Sequence, residues 1–469
     1  VNALELSRWA ASGLFGLLFL LLAATNLHVM FVVPRRLPAG QRGPSPVPIL
    51  GGFFGAIGCL SAPENTVRWL AWLPLLLDPG CLFLVWSAVR AIRREADETL
   101  VRADNAAVAE LRHAATGCLL GTAVGDALGL AGEGMSRRRL RRIFPDTSRY
   151  HLLFGRGLCS DDTEHACLTA QAFLAAQQNR TPPCPIVFGQ TLAASLRWWL
   201  VGLPAGVGWA TGRAIAKLWL GWPPEKSGVR SAGNGPAMRA PILGVVLGDD
   251  LPRLREFIRV STRLTHTDPR AEHGALAVAL AAHLSARSRR TSAVFDPNAV
   301  SATIAEILDP GATELRALIL SAGASAARGE KTEDFAITLG CGHGVSGYSL
   351  HTVPVALQAW FTHPTDLPAA LSAVIRCGGD TDSTAAIVGG VVGASVGRAG
   401  IPPHLLNQLW EWPRDVRWME RLGAMLGATQ DPSRIAFPIG LNLPGLIARN
   451  VLFLGIVLTH GFRRLLPPY

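Results

Sequence analysis

The sequence predicts an all-α fold: a helical globular domain preceded by about three transmembrane helices. Two observations predict the helices. Apolar residues recur at helical spacing through the centre of the chain, and no stretch shows the sustained two-residue alternation of Val, Ile and Thr that marks a strand. A third observation predicts the membrane part. Of 469 residues, 49% are hydrophobic and only 17% are charged. The apolar excess gathers in roughly the first 90 and the last 35 residues instead of spreading evenly through a core.

Taken in chain order, residues 10–33 carry no charged side chain and exceed the ~20 residues that cross a hydrocarbon core as a helix. Only Arg8 precedes this run and more apolar sequence follows, so an uncleaved anchor is expected in preference to a cleaved signal peptide. Residues 46–62 are glycine-rich and marginal as a span. Residues 69–89 are long enough but contain Pro74, Asp78 and Pro79, so Asp78-Pro79-Gly80 reads as a break or a re-entrant turn. Trp69, Trp72 and Trp86 suit anchoring at a membrane interface. Arg35, Arg36 and Arg42 follow the first stretch, and Arg90, Arg93 and Arg94 follow the third. Three spans with an outside N-terminus place both clusters, and everything after them, in the cytoplasm. The expected location is a bacterial inner membrane.

The layout that follows is a membrane-anchor region at 1–94, a charged helical connector at 95–112, a globular domain at 113–430 and an apolar tail at 431–469. The tail is interrupted by Pro438, Pro444 and Arg449. Residues 450–462 are too short to span alone, so an interfacial or docking helix and a fourth span both stand. The net charge of +10 comes almost wholly from Arg, with Lys only at Lys217, Lys226 and Lys331. With so much Ala, Gly and Pro, this reads as a compositional habit, although a basic surface also favours anionic partners. The eight cysteines form no CxxC pair, which fits free thiols in a reducing compartment better than a disulfide framework. Within the domain, helices are expected at residues 166–178, 274–284, 313–327 and 353–361.

Chemistry concentrates in two acidic clusters. Ser160-Asp161-Asp162-Thr163 precedes Glu164 and a helical run, and Asp380-Thr381-Asp382-Ser383 precedes TAAIVGG. Hydroxyl and carboxylate residues at a helix start are explained by capping. Capping needs one such residue, however, and adjacent carboxylates repel unless a cation lies between them. Four carboxylates and their hydroxyls suffice to neutralise two divalent cations, and an all-oxygen ligand set suits Mg²⁺ or Mn²⁺. For either cluster alone, both readings stand.

Other segments are ambiguous singly. Gly117, Gly121, Gly125 and Gly129 recur at four-residue spacing, which lets helices approach closely, and Asp126 among them argues against a lipid-facing helix. Glu133 sits between glycines in what reads as a mobile loop. The run Arg137–Arg142 reads as a solvated helix face or a contact for an anionic target. Ser231-Ala-Gly-Asn-Gly-Pro-Ala-Met-Arg239 is a glycine-rich loop that suits phosphate binding or a simple turn. Thr265-His266-Thr267-Asp268-Pro269 does not distinguish a structural histidine from a functional one.

In this order the segments resemble the ADP-ribosylglycohydrolase family, which includes the dinitrogenase-reductase-activating glycohydrolases. The resemblance is carried by GCLLGTAVGDALG with Glu133 after it, SDDTEHA, SAGNGPAMR, THTDPRAEHGA, GYSLHTVPVALQAW and GGDTDSTAAIVGG, over roughly Leu111 to Leu426. It implies a compact orthogonal helical bundle with two divalent cations, Mg²⁺ or Mn²⁺, at the bottom of an ADP-ribose cleft. The implied metal ligands are Ser160, Asp161, Asp162, Asp380, Asp382 and Ser383. The implied ligand-binding residues are Gly233, Asn234 and Gly235 at phosphate and ribose, with His266 at the nucleotide. Asp161, Asp162 and Glu133 are the implied catalytic acids. Ser160 and Ser383 stand where many members carry Thr, which keeps the hydroxyl, and His351 stands where many carry an acid. The expected reaction is hydrolysis at the anomeric ribose carbon of an ADP-ribosylated protein or small conjugate by a membrane-tethered enzyme. The competing reading is a non-catalytic, membrane-anchored ADP-ribose-binding or immunity-type module. A transporter is poorly supported, since Asp78 is the one acid in the apolar stretches. Modified nucleic acid stays open as a weaker partner.

Overall fold

Helices account for all the regular elements of the computed structural model, which describes residues 3–31, 50–79, 106–177, 182–289, 294–429 and 443–464. Two compact units divide the chain, one up to Arg102 and one from Ala103. Most of the expected connector and the start of the tail lie outside the described residues.

In the first unit, Ala3–Phe31 is one unbroken helix of 29 residues, about 44 Å at 1.5 Å per residue. Its apolar side chains, among them Leu14, Leu17, Leu20 and Leu21, are exposed. The second stretch forms a helix of only 12 residues, Leu50–Ser61, about 18 Å long against a ~30 Å hydrocarbon core. It packs on the first helix through Phe15 and Phe54, whose rings stack 6.1 Å apart. The third stretch breaks into short helices at Asn65–Trp69 and Leu73–Leu77. The latter stops at Asp78, which is buried and accepts the Gly52 amide at 3.0 Å. The expected break at Asp78 is therefore seen, and its carboxylate serves the start of the Leu50–Ser61 helix. Residues 80–89 lie outside the described residues. Among the described residues, three helices are long and apolar enough to cross a membrane: Ala3–Val29, Ala106–Gly132 and Gly445–Phe462. The first overlaps the expected 10–33 stretch; the other two lie outside the expected 46–62 and 69–89 stretches, whose described helices, Leu50–Ser61, Asn65–Trp69 and Leu73–Leu77, are each too short to span.

In the second unit, the apolar Ala106–Gly129 helix is not at a surface; from Ala114 to Gly129 it is buried throughout. It runs antiparallel to Thr381–Val396 at backbone contact. A methyl group added at Gly121 would lie 2.1 Å from the Gly389 carbonyl oxygen, and one at Gly389 would lie 2.1 Å from that of Gly121. Gly117 faces Gly393, Gly125 faces Ala385 and Gly129 faces Thr381 in the same manner. The glycine spacing read from the sequence is thus a backbone seam inside a soluble-type core. Around it pack Pro269–Ser288, Ser349–Thr362 and Val416–Ala428, with Thr313–Ala327 in a further layer against Ser349–Thr362. The described cysteines are all free.

Because no flexible side chain lies in the seam, Gly121→Ala forces two backbones apart. Overpacking of this kind costs about 3 kcal/mol. Gly311→Ala, where an added methyl group meets nothing within 4 Å, serves as the control and stays near the wild type. Urea unfolding of the full chain followed by circular dichroism checks this; equal midpoints for the two variants would refute the seam.

Candidate active site

The seam sets where the acids stand. Gly129 abuts Thr381, whose hydroxyl donates to the Gly129 carbonyl at 2.7 Å. The turn Cys377-Gly378-Gly379-Asp380 then needs two left-handed residues, with φ of +71° at Gly378 and +83° at Gly379, a conformation open to glycine. The turn is tied on both sides. Gly379 N–H donates to the Met135 carbonyl and Gly134 N–H to the Gly379 carbonyl, each at 2.7 Å, and Asp380 N–H donates to the Val345 carbonyl at 2.7 Å. Glu133 is carried by the segment so tied, which makes this loop a pinned element where the sequence suggested a mobile one.

The second cluster opens the Asp161–Gln177 helix. Its free N–H groups are satisfied partly from within, the Ser160 hydroxyl accepting Asp162 N–H at 3.3 Å, and partly from outside. Asp126, buried at the far end of the seam helix, accepts Ser160 N–H at 2.9 Å, Thr163 N–H at 3.1 Å and the Thr163 hydroxyl at 2.5 Å. A remote carboxylate and the Ser160 hydroxyl share the capping, so the carboxylates of Asp161 and Asp162 are spared that role. Asp380 likewise stands at a helix start without a side-chain capping bond; it accepts the Asn234 amide at 2.7 Å instead. Capping is therefore insufficient to explain either cluster.

The two clusters meet. The Ser160 hydroxyl lies 3.1 Å and the Ser383 hydroxyl 3.2 Å from the same oxygen, Asp162 Oδ2. The other oxygen of Asp162 and the Oδ1 of Asp382 are buried without a hydrogen-bond partner. Burial first, and then the charges of Asp126, Asp161 and Asp380, push the Asp162 carboxyl well above the usual range. Burial and then Glu133, Asp380, Asp162 and Asp126 do the same to Asp382. Asp161 is raised by burial, Asp126, Glu164 and Glu133. Asp126 itself is raised to about 6 by burial, against the pull of its hydrogen bonds.

Glu133, Asp161, Asp162, Asp380 and Asp382 therefore form one repelling group with two serine hydroxyls among them. Among the described residues, no three His, Cys, Asp or Glu side chains already close around a common point as a metal site. The donor set nonetheless fits a hard divalent cation: it is all oxygen, and two buried carboxylate oxygens lack partners.

The glycine-rich loop joins the same place. Asn234 links Asp380 to Thr352, and its own N–H donates to the Gly347 carbonyl at 2.9 Å. Gly233 N–H donates to Ser231 Oγ at 3.2 Å. These two amides are already engaged within the protein, so the Asn234 side chain is this loop's direct link to the acids. The glycines are needed because His266 fills the space behind them. An added methyl group at Gly233 or Gly235 would lie 3.0 Å from its ring. His266 is buried, and burial followed by Arg239 lowers its pKa to about 3, keeping the ring neutral. His351 bonds the Ser346 hydroxyl at 2.9 Å.

Sequence reasoning did not assign Asp126, Glu164, Glu411, Arg414 or Arg449. Glu164 accepts Trp199 Nε1 and Arg414 Nη1, each at 2.6 Å. Glu411 accepts the Cys159 amide at 3.0 Å and Arg449 at 2.7 Å. For Asp126 the signal was present, as one charge in the middle of an apolar, glycine-spaced helix. The others stand in no recognisable pattern.

An all-helical domain with two acid-rich helix starts converging on one carboxylate defines the class: a helical bundle with a buried acidic centre. The chain belongs to the ADP-ribosylglycohydrolase family, whose family model matches residues 107–434. It is 30% identical over 318 residues to an uncharacterized protein of Archaeoglobus fulgidus, covering 66% of this chain and 94% of that one. It is 26% identical over 335 residues to the ADP-ribosylhydrolase ARH3 of Gallus gallus, covering 61% and 86%. A solved ADP-ribosylglycohydrolase-related protein complex is similar at 26% identity, covering 68% of this chain and 99% of that one with a TM-score of 0.49. The chain is an enzyme of the glycosyl-hydrolase type that acts on ADP-ribose linkages, and its family is generally dependent on divalent metal.

If Asp126 holds the Asp161–Gln177 helix start in place, Asp126→Ala strands two buried amides. Each stranded amide costs about 1–3 kcal/mol, so urea unfolding shifts by about 3 kcal/mol and ADP-ribose release falls with it. Asp126→Asn, which keeps an acceptor oxygen, loses less; an Ala variant as stable as wild type would disprove the assignment.

Proposed function

We propose that this enzyme removes ADP-ribose from a modified protein side chain by hydrolysing the N- or O-glycosidic bond at the anomeric ribose carbon, at a centre of two divalent cations, Mg²⁺ or Mn²⁺. The observation that carries the reading is the convergence of Ser160 and Ser383 on Asp162 Oδ2 beside the two unpartnered buried oxygens of Asp162 and Asp382. Ser160, Asp161, Asp162, Asp380, Asp382 and Ser383 would hold the cations. When bound, these supply positive charge that orients ribose hydroxyls and acidifies water.

The chain's own groups do the rest. Asn234 holds Asp380 in orientation through its amide. Neutral His266 backs the Gly233–Gly235 loop, so the loop keeps its shape against an anionic diphosphate without adding charge. The grouped carboxylates stabilise the positive charge that develops on the ribose as the glycosidic bond breaks. Asp161, Asp162 or Glu133 takes the proton from the attacking water. The substrate reading is an ADP-ribosylated protein or small ADP-ribose conjugate.

We also infer that the Ala3–Phe31 helix tethers the enzyme to a membrane. Support comes from its length, its exposed leucines and the absence of charged side chains from its residue 10 onward. With Arg35, Arg36 and Arg42 on its C-terminal side, the positive-inside rule favours a cytoplasmic catalytic domain.

Full-length enzyme in detergent is expected to release ADP-ribose from a panel of arginine- and serine-ADP-ribosylated peptides, to stop on chelation and to recover with Mg²⁺ or Mn²⁺. The Asp380→Asn, Asp382→Asn double variant should lose at least ~100-fold in turnover while keeping its helical spectrum. Undiminished release in chelator, or by the double variant, would sink the two-cation reading.

A further inference from the structure

We infer that Arg449, on the tail helix Leu443–Arg464, is a positioning residue for the acidic centre, acting through the backbone of Cys159. The tail helix lies beyond the family-matched residues, which end at 434. Its inner face buries Leu446, Arg449, Asn450 and Phe453. Arg449 Nη2 donates to Glu411 Oε2 at 2.7 Å and to the Cys159 carbonyl. The same Glu411 oxygen accepts the Cys159 N–H at 3.0 Å. One buried ion pair therefore grips both polar groups of the residue directly before Ser160, while Asp126 grips the Ser160 N–H.

The helix reaches the other side of Asp161 as well. Asn450 Nδ2 donates to the Gly202 carbonyl at 2.7 Å. Phe453 packs with Leu130, Leu158 and Ala205, and its ring lies 4.4 Å from the Arg449 guanidinium. The loop so anchored brings Gly206 to where an added methyl group would be 3.4 Å from Asp161 Oδ1. The tail helix thus holds both backbone segments that flank Asp161, from behind and without touching the acids. Groups in that relation to a metal site set its affinity by fixing ligand orientation, and their loss costs about 10–100-fold.

The inference rests on the two-cation reading, and the experiment separates the two. Mn²⁺ is titrated into full-length enzyme in detergent by calorimetry, and kcat and KM are measured on an ADP-ribosylated peptide that the wild type cleaves. Arg449→Met is expected to weaken Mn²⁺ binding by about 10–100-fold and to lower kcat with a smaller change in KM. Arg449→Lys, which keeps the charge but not the two-pronged reach, should recover part of both. Leu454→Ser, on the exposed outer face, should match wild type. Wild-type Mn²⁺ affinity and kcat in folded Arg449→Met overturn the inference. If that variant does not fold, the same result in Arg449→Lys overturns it. A wild-type enzyme that takes up no Mn²⁺ overturns the cation reading and this inference together.

Discussion

The site depends on one contact, the backbone seam between Ala106–Gly129 and Thr381–Val396. Two helices at this distance cannot slide or rotate without driving carbonyl oxygens into Cα atoms, since no side chain lies between them to yield. The seam therefore fixes the level at which Asp126 and Gly129 stand relative to Thr381 and Asp382. Asp126 in turn fixes Ser160 and Thr163. Residues more than 200 positions apart in sequence are brought within hydrogen-bond reach through two steps, one steric and one polar.

What the seam assembles is electrostatically unfavourable on its own. Carboxylates held together in a buried place raise one another's pKa, as Asp161, Asp162 and Asp382 show. Behind the centre lie two further ion pairs, Arg414 with Glu164 and Arg449 with Glu411, both fully buried. A buried pair of this kind contributes little net stability while intact, but losing one partner costs about 3–5 kcal/mol. Its value here is orientation: each arginine is matched by its own glutamate, so neither neutralises the acids of the centre. A bound cation would favour the charged form of those acids.

Much of this was legible in the sequence. The acid clusters, the glycine spacing and the Asn234 loop are local patterns, and their order carried the family resemblance. The helix expected over 313–327 is the one observed. What was not legible is partnership. Asp126 stands inside the motif GCLLGTAVGDALG, yet its partners Ser160 and Thr163 lie outside that motif. Glu411 and Arg414 flank Trp412-Pro413 in an unpatterned stretch. The glycines of Gly233-Asn234-Gly235 suggested amides free for phosphate, but sequence does not show that Ser231 and Gly347 engage two of them. At the N-terminus, apolarity alone could not show that the stretch after the first helix folds as short pieces around Asp78.

Three helices of similar composition have three different settings, and composition alone does not choose among them. Ala3–Val29 keeps its leucines exposed, Ala106–Gly132 is interior from Ala114 onward, and Gly445–Phe462 is divided between an inner and an outer face. Placement follows from the few residues that are not apolar side chains. Four glycines on one stripe admit a second backbone and draw the middle helix into the core. Arg449 and Asn450, side by side, need buried partners and find them in Glu411 and Gly202, so the tail helix docks despite its outward Val451, Leu452, Leu458 and Phe462. Crossing a bilayer would move that arginine into hydrocarbon and leave Glu411 buried without its partner, two costs that act in the same direction. In the first helix, from its residue 10 onward, no charged group imposes such a demand. Its apolar surface is left exposed, while the tail, somewhat less apolar, is held to the domain by the buried partners of Arg449, Asn450 and Phe453.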